Sequence, residues 1–186
     1  MNVRTLCLAI LYFGKATGYE IRKLSTEGKY SYFVEASFGA IYPALAKLEQ
    51  EGLVTCHDEV TAGKPARKVY SITDAGRRAF ITSLLDLPAP DVFRSEFLMV
   101  AMCSDILPPD VVRRAIDARV GQLEAEINHL REISEGAKHP GSKWATDYGI
   151  SCLSTSLKYL MDKRGELEEI AGKAMEPAPH PHMAAE

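Results

Sequence analysis

Ser37-Phe38-Gly39-Ala40-Ile41-Tyr42-Pro43-Ala44-Leu45 opens the stretch that decides the fold. It runs on as Leu48-Glu49-Gln50-Glu51-Gly52-Leu53-Val54, and then as Gly63-Lys64-Pro65-Ala66-Arg67-Lys68-Val69-Tyr70-Ser71-Ile72-Thr73-Asp74-Ala75-Gly76. Ile41, Leu45 and Leu48 recur at helical spacing with Ala44 beside them, which predicts a helix with one buried stripe. Pro43 is tolerated only in a first turn, where its missing N–H costs nothing. The helix is therefore expected to start near Gly39–Ile41, with Ser37 as a plausible N-cap. Gly52 is placed to close it as the C′ residue. Leu53–Glu59 has the composition of a strand, residues 61–66 read as a loop, and Arg67–Ile72 alternates like a second strand. Thr73 then caps a new helix reaching about Leu85, and Asp74 in its first turn suits the helix dipole. A helix, a tight turn and a hairpin with a basic loop make a recognition helix followed by a β-wing. That order points to gripping DNA rather than to transforming a substrate.

Upstream, residues 2–13 read as a short apolar helix with Leu6, Ala9, Ile10 and Phe13 on one face. Gly14 and Thr17-Gly18 interrupt it. A second helix is expected from Tyr19 to Thr26, with Ile21 and Leu24 inward, Tyr19 undecided, and Gly28 ending it. Residues 29–36 connect it to the third helix. Downstream, Leu87-Pro88-Ala89-Pro90 is a stiff, helix-breaking junction. It divides a winged helix-turn-helix domain, residues 1–86, from a helical dimerisation or effector domain, residues 91–174. Residues 175–186 have little to bury and are expected to be a disordered tail. The expected fold class is mainly α: a winged helix-turn-helix N-terminal domain plus an all-helical C-terminal domain. Its helices are read at Asp91–Ser104, from Pro108-Pro109-Asp110 to about Gly136, and at Trp144–Ala174 with Leu153, Leu157, Leu160 and Leu167 on one side. Ile116, Val120, Leu123, Ile127 and Leu130 step by 4, 3, 4 and 3, a short heptad-like seam. The seam fits packing within its own chain or against a second chain; spacing leaves both open.

The chain of 186 residues, 46% apolar and 25% charged, has an ordinary globular composition. Residues 1–80 carry 11 Lys and Arg against 8 Asp and Glu, whereas residues 81–186 carry 11 against 17. The basic excess thus accompanies the wing and the acidic excess lies behind it. Cys7, Cys56, Cys103 and Cys152 form no CxxC pair. Arg4 interrupts the first apolar stretch, which argues against a signal peptide, and no apolar run reaches membrane-spanning length. A cytoplasmic protein with reduced thiols and no membrane partner is expected. GxSxG, P-loop, GxGxxG and HExxH motifs are absent, so no catalytic residue, metal ligand or cofactor is assigned. His180-Pro181-His182 is read as incidental.

The leading end of a helix meets base edges first when it enters the major groove, about 12 Å wide. Here that end offers Ser37, Gly39 and Tyr42, with Lys47 one turn on. Small residues allow close approach, hydroxyls meet phosphates or bases, and Lys47 adds a point charge. The wing supplies Lys64, Arg67 and Lys68 on and beside a Pro-stiffened loop. Arg22 and Lys23 on the second helix are candidates for the phosphate backbone. Phosphate contacts position a protein; base-edge contacts specify sequence.

These residues resemble the PadR family of bacterial transcriptional regulators. The likeness lies in Gly18-Tyr19-Glu20-Ile21, in Ser37-x-Gly39-x-Ile41-Tyr42-Pro43-Ala44-Leu45-x-x-Leu48-Glu49-x-x-Gly52-Leu53-Val54, and in Gly63-x-Pro65-x-Arg67-Lys68-x-Tyr70-Ser71-Ile72-Thr73-x-x-Gly76-Arg77. It covers about residues 1–80. A weaker likeness follows at Phe93-x-x-Glu96-Phe97-Leu98. The resemblance implies a homodimer on an inverted-repeat DNA operator, usually a repressor, with the dimer built largely by C-terminal helices. It therefore assigns the seam from Ile116 to Leu130 to the contact between subunits. Some regulators of this sort bind phenolic or drug-like compounds, so Trp144 is the candidate for stacking on a small aromatic effector, against the alternative of a structural anchor. Two other functions stand beside DNA binding: a protein-docking winged helix, and a redox-gated sensor, which needs an exposed, low-pKa thiol. Cys7 is expected in the core.

Overall fold

The computed structural model describes residues 2–26, 30, 32–33, 39–59 and 67–173. The chain falls into two compact units, Met1–Asp91 and Val92–Glu186.

The first unit is organised around α1 (Val3–Phe13), which Asn2 caps by accepting from the Thr5 N–H at 2.9 Å. A two-residue strand, β1 (Ala16–Thr17), leads into α2 (Gly18–Thr26). Then come α3 (Ile41–Gln50), β2 (Val54–Glu59), β3 (Arg67–Ile72) and α4 (Asp74–Ser83). The sheet has order β1-β3-β2 and is antiparallel throughout. Val54 lies opposite Ile72 at the root of the hairpin and Glu59 opposite Arg67 at its outer end. Both hairpin strands were legible in the sequence; β1 was not, because two residues carry no period.

α1 buries Leu6, Cys7, Leu8, Ile10 and Leu11, and these meet Ile21 of α2, Ile41, Leu45 and Leu48 of α3, Val54, Tyr70 and Phe80 in one core. Fully burying each such aliphatic side chain contributes roughly 1.5–3 kcal/mol. Phe13, expected inward, is instead 43% exposed, and Tyr19 is exposed too. The inward stripe of α1 passes through Leu6, Cys7 and Ile10, and Phe13 lies past its end.

α3 ends as its sequence predicts. Gly52 adopts φ +70°, its N–H donates to the Glu49 carbonyl, and the Leu53 N–H reaches back to Leu48, each at 2.9 Å. This doubly bonded stop turns the chain directly into β2. Thr73 then accepts from the Gly76 N–H at 3.0 Å while its hydroxyl donates toward the Gly52 and Leu53 carbonyls, joining the cap of α4 to the end of α3. Arg4 forks onto the Glu51 carboxylate, one N–H at 2.7 Å, and ties the start of α1 to the same corner.

The second unit is helical among its described residues. Ser95 caps α5 (Glu96–Met102) by accepting from the Leu98 N–H at 3.3 Å, and a 3₁₀ turn follows at Ser104–Ile106. The helix is much shorter than the expected Asp91–Ser104. Residues 91–95 are not helical; Val92 and Phe93 are exposed, so no core packing offsets the cost of ordering another turn there. α6 (Pro109–Glu135) and α7 (Pro140–Ile170) form an antiparallel hairpin. Its pairing is marked by Ser134 Oγ donating to Asp147 at 2.9 Å near the turn and by Arg164 Nη1 on Asp117 at 2.7 Å further along.

The heptad-like seam is closed by this hairpin. Ile116, Leu123, Ile127 and Leu130 are buried within the chain, and Val120 packs beside them half-buried. Leu153, Leu157, Leu160 and Leu167 of α7 supply the opposing side of the core. Side chains already this buried have little surface left for another chain. Among the described residues no helix is long and apolar enough to cross a membrane. The 175–186 tail lies outside the described residues.

Candidate nucleic-acid interface

The start of α2 is built first. The Thr17 N–H donates to the Glu20 carboxylate at 2.7 Å, the Thr17 hydroxyl donates to the same oxygen at 2.9 Å, and the Glu20 N–H donates back to that hydroxyl at 3.2 Å. This is a reciprocal capping box. The Thr17 N–H, then its hydroxyl, and more weakly the Arg67 charge hold the Glu20 carboxyl below its ordinary range.

α3 stands next to this corner. Its buried stripe, Ile41, Leu45 and Leu48, turns Tyr42 outward to 48% exposure. The hairpin brings Arg67 and Lys68 to the same place, both exposed. Thr17, Gly18, Tyr19, Glu20, Tyr42, Arg67, Lys68 and Tyr70 together line an open cleft of about 700 Å³. Arg67 pairs with its cross-strand neighbour Glu59 at 3.3 Å, so part of its charge is balanced locally, and Lys68 lies opposite Asp58. Burial first, then the neighbouring Cys56, pushes the Tyr70 phenol up to about 12. Tyr70 therefore remains a neutral hydroxyl through the physiological range.

Of the residues singled out in the sequence, Tyr42, Arg67 and Lys68 meet in the cleft. Gly39 is an exposed turn residue just ahead of α3. Lys47 is exposed in the last turn of α3, outside the cleft lining. Arg22 places its guanidinium 4.8 Å from the Tyr19 ring centroid, and Lys23 is exposed beside it. Ser37 and Lys64 lie outside the described residues. Thr17, Glu20 and Gly18 escaped the sequence reading as parts of this surface. The Thr-x-x-Glu spacing was the available signal, since it marks a capping box. In the helical unit, Trp144 is 70% exposed and stacks on Tyr148 with ring centroids 5.7 Å apart and planes 9° apart.

The redox reading finds no support at Cys7, which is buried with its thiol pushed up to about 12 by desolvation. Among the described residues no group of three or more His, Cys, Asp or Glu could hold a metal ion. The His180-Pro181-His182 segment lies outside them.

Residues 7–81 match the Transcriptional regulator PadR-like family. The chain is 27% identical over 152 residues to the negative transcriptional regulator PadR of Bacillus subtilis (strain 168), an alignment covering 76% of this chain and 80% of that one. It is similar to the crystal structure of the PadR-like transcriptional regulator BC1756 from Bacillus cereus, with 31% identity, TM-score 0.73, and coverage of 90% of this chain and 99% of that one. The structure of Bacillus subtilis PadR in complex with operator DNA aligns with TM-score 0.70 at 22% identity, covering 90% of this chain and 98% of that one, and so speaks to the shared fold.

Proposed function

The chain belongs to the PadR-like family of transcriptional regulators, and from that premise we propose that this DNA-binding regulator is a homodimeric repressor acting on an inverted-repeat operator in the cytoplasm. The juxtaposition of Tyr42 on α3 with Arg67 and Lys68 at the base of the wing carries the reading. A helix end and a cationic hairpin that share one surface meet neighbouring parts of a duplex. Gly39 and Tyr42, with Ser37, approach the bases. Lys47, Arg67, Lys68, Arg22 and Lys23, with Lys64, address phosphates. Two such surfaces related by a two-fold axis span half-sites about one turn (~34–36 Å) apart. The chemistry is recognition, and no catalytic group is assigned. Repression is favoured by the likeness to a negative regulator.

Because the α6 seam is internal, pairing draws on other apolar surface of the helical unit. Leu98, Met99 and Met102 of α5 are exposed, as are Tyr159 and Met161 of α7. Leu98→Glu with Met102→Glu is expected to yield monomers of unchanged helicity in sedimentation; a surviving dimer would exclude this face. The exposed Trp144 ring remains the candidate to stack on a planar aromatic effector, and quenching of its fluorescence by such compounds is the check.

Footprinting on the DNA beside its own gene tests the whole reading. A protected pseudo-palindrome, with an anisotropy change that weakens steeply with salt, is the expected result. A protein that leaves this DNA unprotected but retains a protein partner in pull-down would be a docking module instead.

A further inference from the structure

Gly18 is buried at the first residue of α2, and its φ is not positive. Its backbone therefore does not require glycine. Space does: a Cβ built there would stand 2.7 Å from Tyr42 Cε1 and 3.5 Å from two further atoms of the same ring. Every one of those neighbours belongs to the half-exposed Tyr42 side chain, which has open solvent to move into. The backbone around Gly18 has no such freedom, because the Thr17–Glu20 capping box holds it and Ala16 and Thr17 are paired to β3. An added methyl would thus displace the ring and leave the helix in place.

We propose that Gly18 is the positioning residue of the recognition surface: its bare Cα seats the Tyr42 ring against the first turn of α2 and so fixes where the Tyr42 hydroxyl meets DNA. The inference rests on Tyr42 being a DNA contact. The bare Cα of Gly18 leaves the Tyr42 ring room to lie over the first turn of α2, in the cleft that Tyr70 also lines, and this gives the ring a preferred direction before DNA arrives. A preset direction is what base discrimination requires, since a hydroxyl that swings freely contacts every sequence alike.

The test compares wild type, Gly18→Ala, Tyr42→Ala and the double variant. Anisotropy measures each on the footprinted duplex and on a scrambled duplex, with a thermal melt of each protein. Gly18→Ala is expected to lower the ratio of specific to scrambled affinity about fivefold or more, and to melt no earlier than wild type, because Ala is the better helix former. In the Tyr42→Ala background the same change is expected to do nothing. A wild-type ratio for Gly18→Ala, or an equal loss in both backgrounds, overturns the positioning role while leaving Tyr42 as a contact. A wild-type ratio for Tyr42→Ala overturns the contact itself, and the proposal with it. Should Gly18→Ala melt early, recovery of the melt in the double variant would still locate the clash at Tyr42. An equally early melt there would overturn the proposal.

Discussion

Arg67 faces the Glu59 carboxylate across the hairpin and carries its charge into the field of Glu20. A guanidinium placed so is oriented before it meets a phosphate, but an exposed pair of this kind contributes only ~0–1 kcal/mol to stability. Its removal should therefore be read in DNA binding and not in folding. Arg67→Ala and Lys68→Ala are each expected to weaken binding to specific and scrambled duplexes alike and to reduce the salt slope by about 1. An unchanged slope, measured by anisotropy from low to moderate salt, would remove the hairpin from the phosphate contacts. Tyr42→Phe separates the other kind of contact. If its hydroxyl reads a base, the preference among operator variants shifts; if all sequences weaken equally, it meets the backbone.

The corner where α3, β2 and α4 meet is tightly specified. A Cβ on Gly76 would stand 2.0 Å from the Leu53 carbonyl oxygen, which the Thr73 N–H and hydroxyl also bond. Backbone is in the way first, with Ile72 Cγ1 at 2.8 Å beside it. Gly76→Ala is therefore expected to destabilise the unit by about 1–3 kcal/mol, visible as an earlier melt, in contrast to Gly18→Ala. The α6–α7 hairpin has its own sensitive position. Leu123 is 2% exposed at the centre of the seam. Leu123→Ala should cost about 2–5 kcal/mol of helical-unit stability in urea unfolding, and Leu123→Asp should abolish its cooperative transition. A stable, fully helical monomer from Leu123→Asp would return this residue to the subunit contact.

Taken as a whole, the molecule places three groups with raised pKa values in the same winged unit. Burial pushes the Cys7 thiol and the Tyr30 and Tyr70 phenols to about 12, each from a lower ordinary value. The unfolded chain releases these protons from about pH 9–10 upward, whereas the folded unit holds them. The contribution of these three groups to stability is thus expected to be fully present below about pH 9 and to fall as pH rises toward 12. Urea midpoints at pH 8, 10 and 11 check this; a midpoint that stays constant to pH 11 would refute it. Cys7→Ala should make the decline shallower.

Local chemistry along the chain was enough to identify α3, its stop at Gly52, both hairpin strands and the Thr73 cap. Each depends on neighbours within a few residues: a helical stripe, a left-handed glycine, an alternation, a side chain reaching the third amide ahead. The same reading extended α5 through Asp91–Ser95, because an apolar run shows no difference between residues that find a core and residues that do not. It could not choose the partner of the α6 seam, since Leu123 and Ile127 present the same spacing to their own α7 as to another chain. In the fold, the short turn at residues 136–139 brings α7 back along α6, and Leu153, Leu157, Leu160 and Leu167 pack on the seam. Gly18 and Tyr42 likewise stand 24 positions apart in the chain, and only packing brings a missing side chain and an aromatic ring into one place.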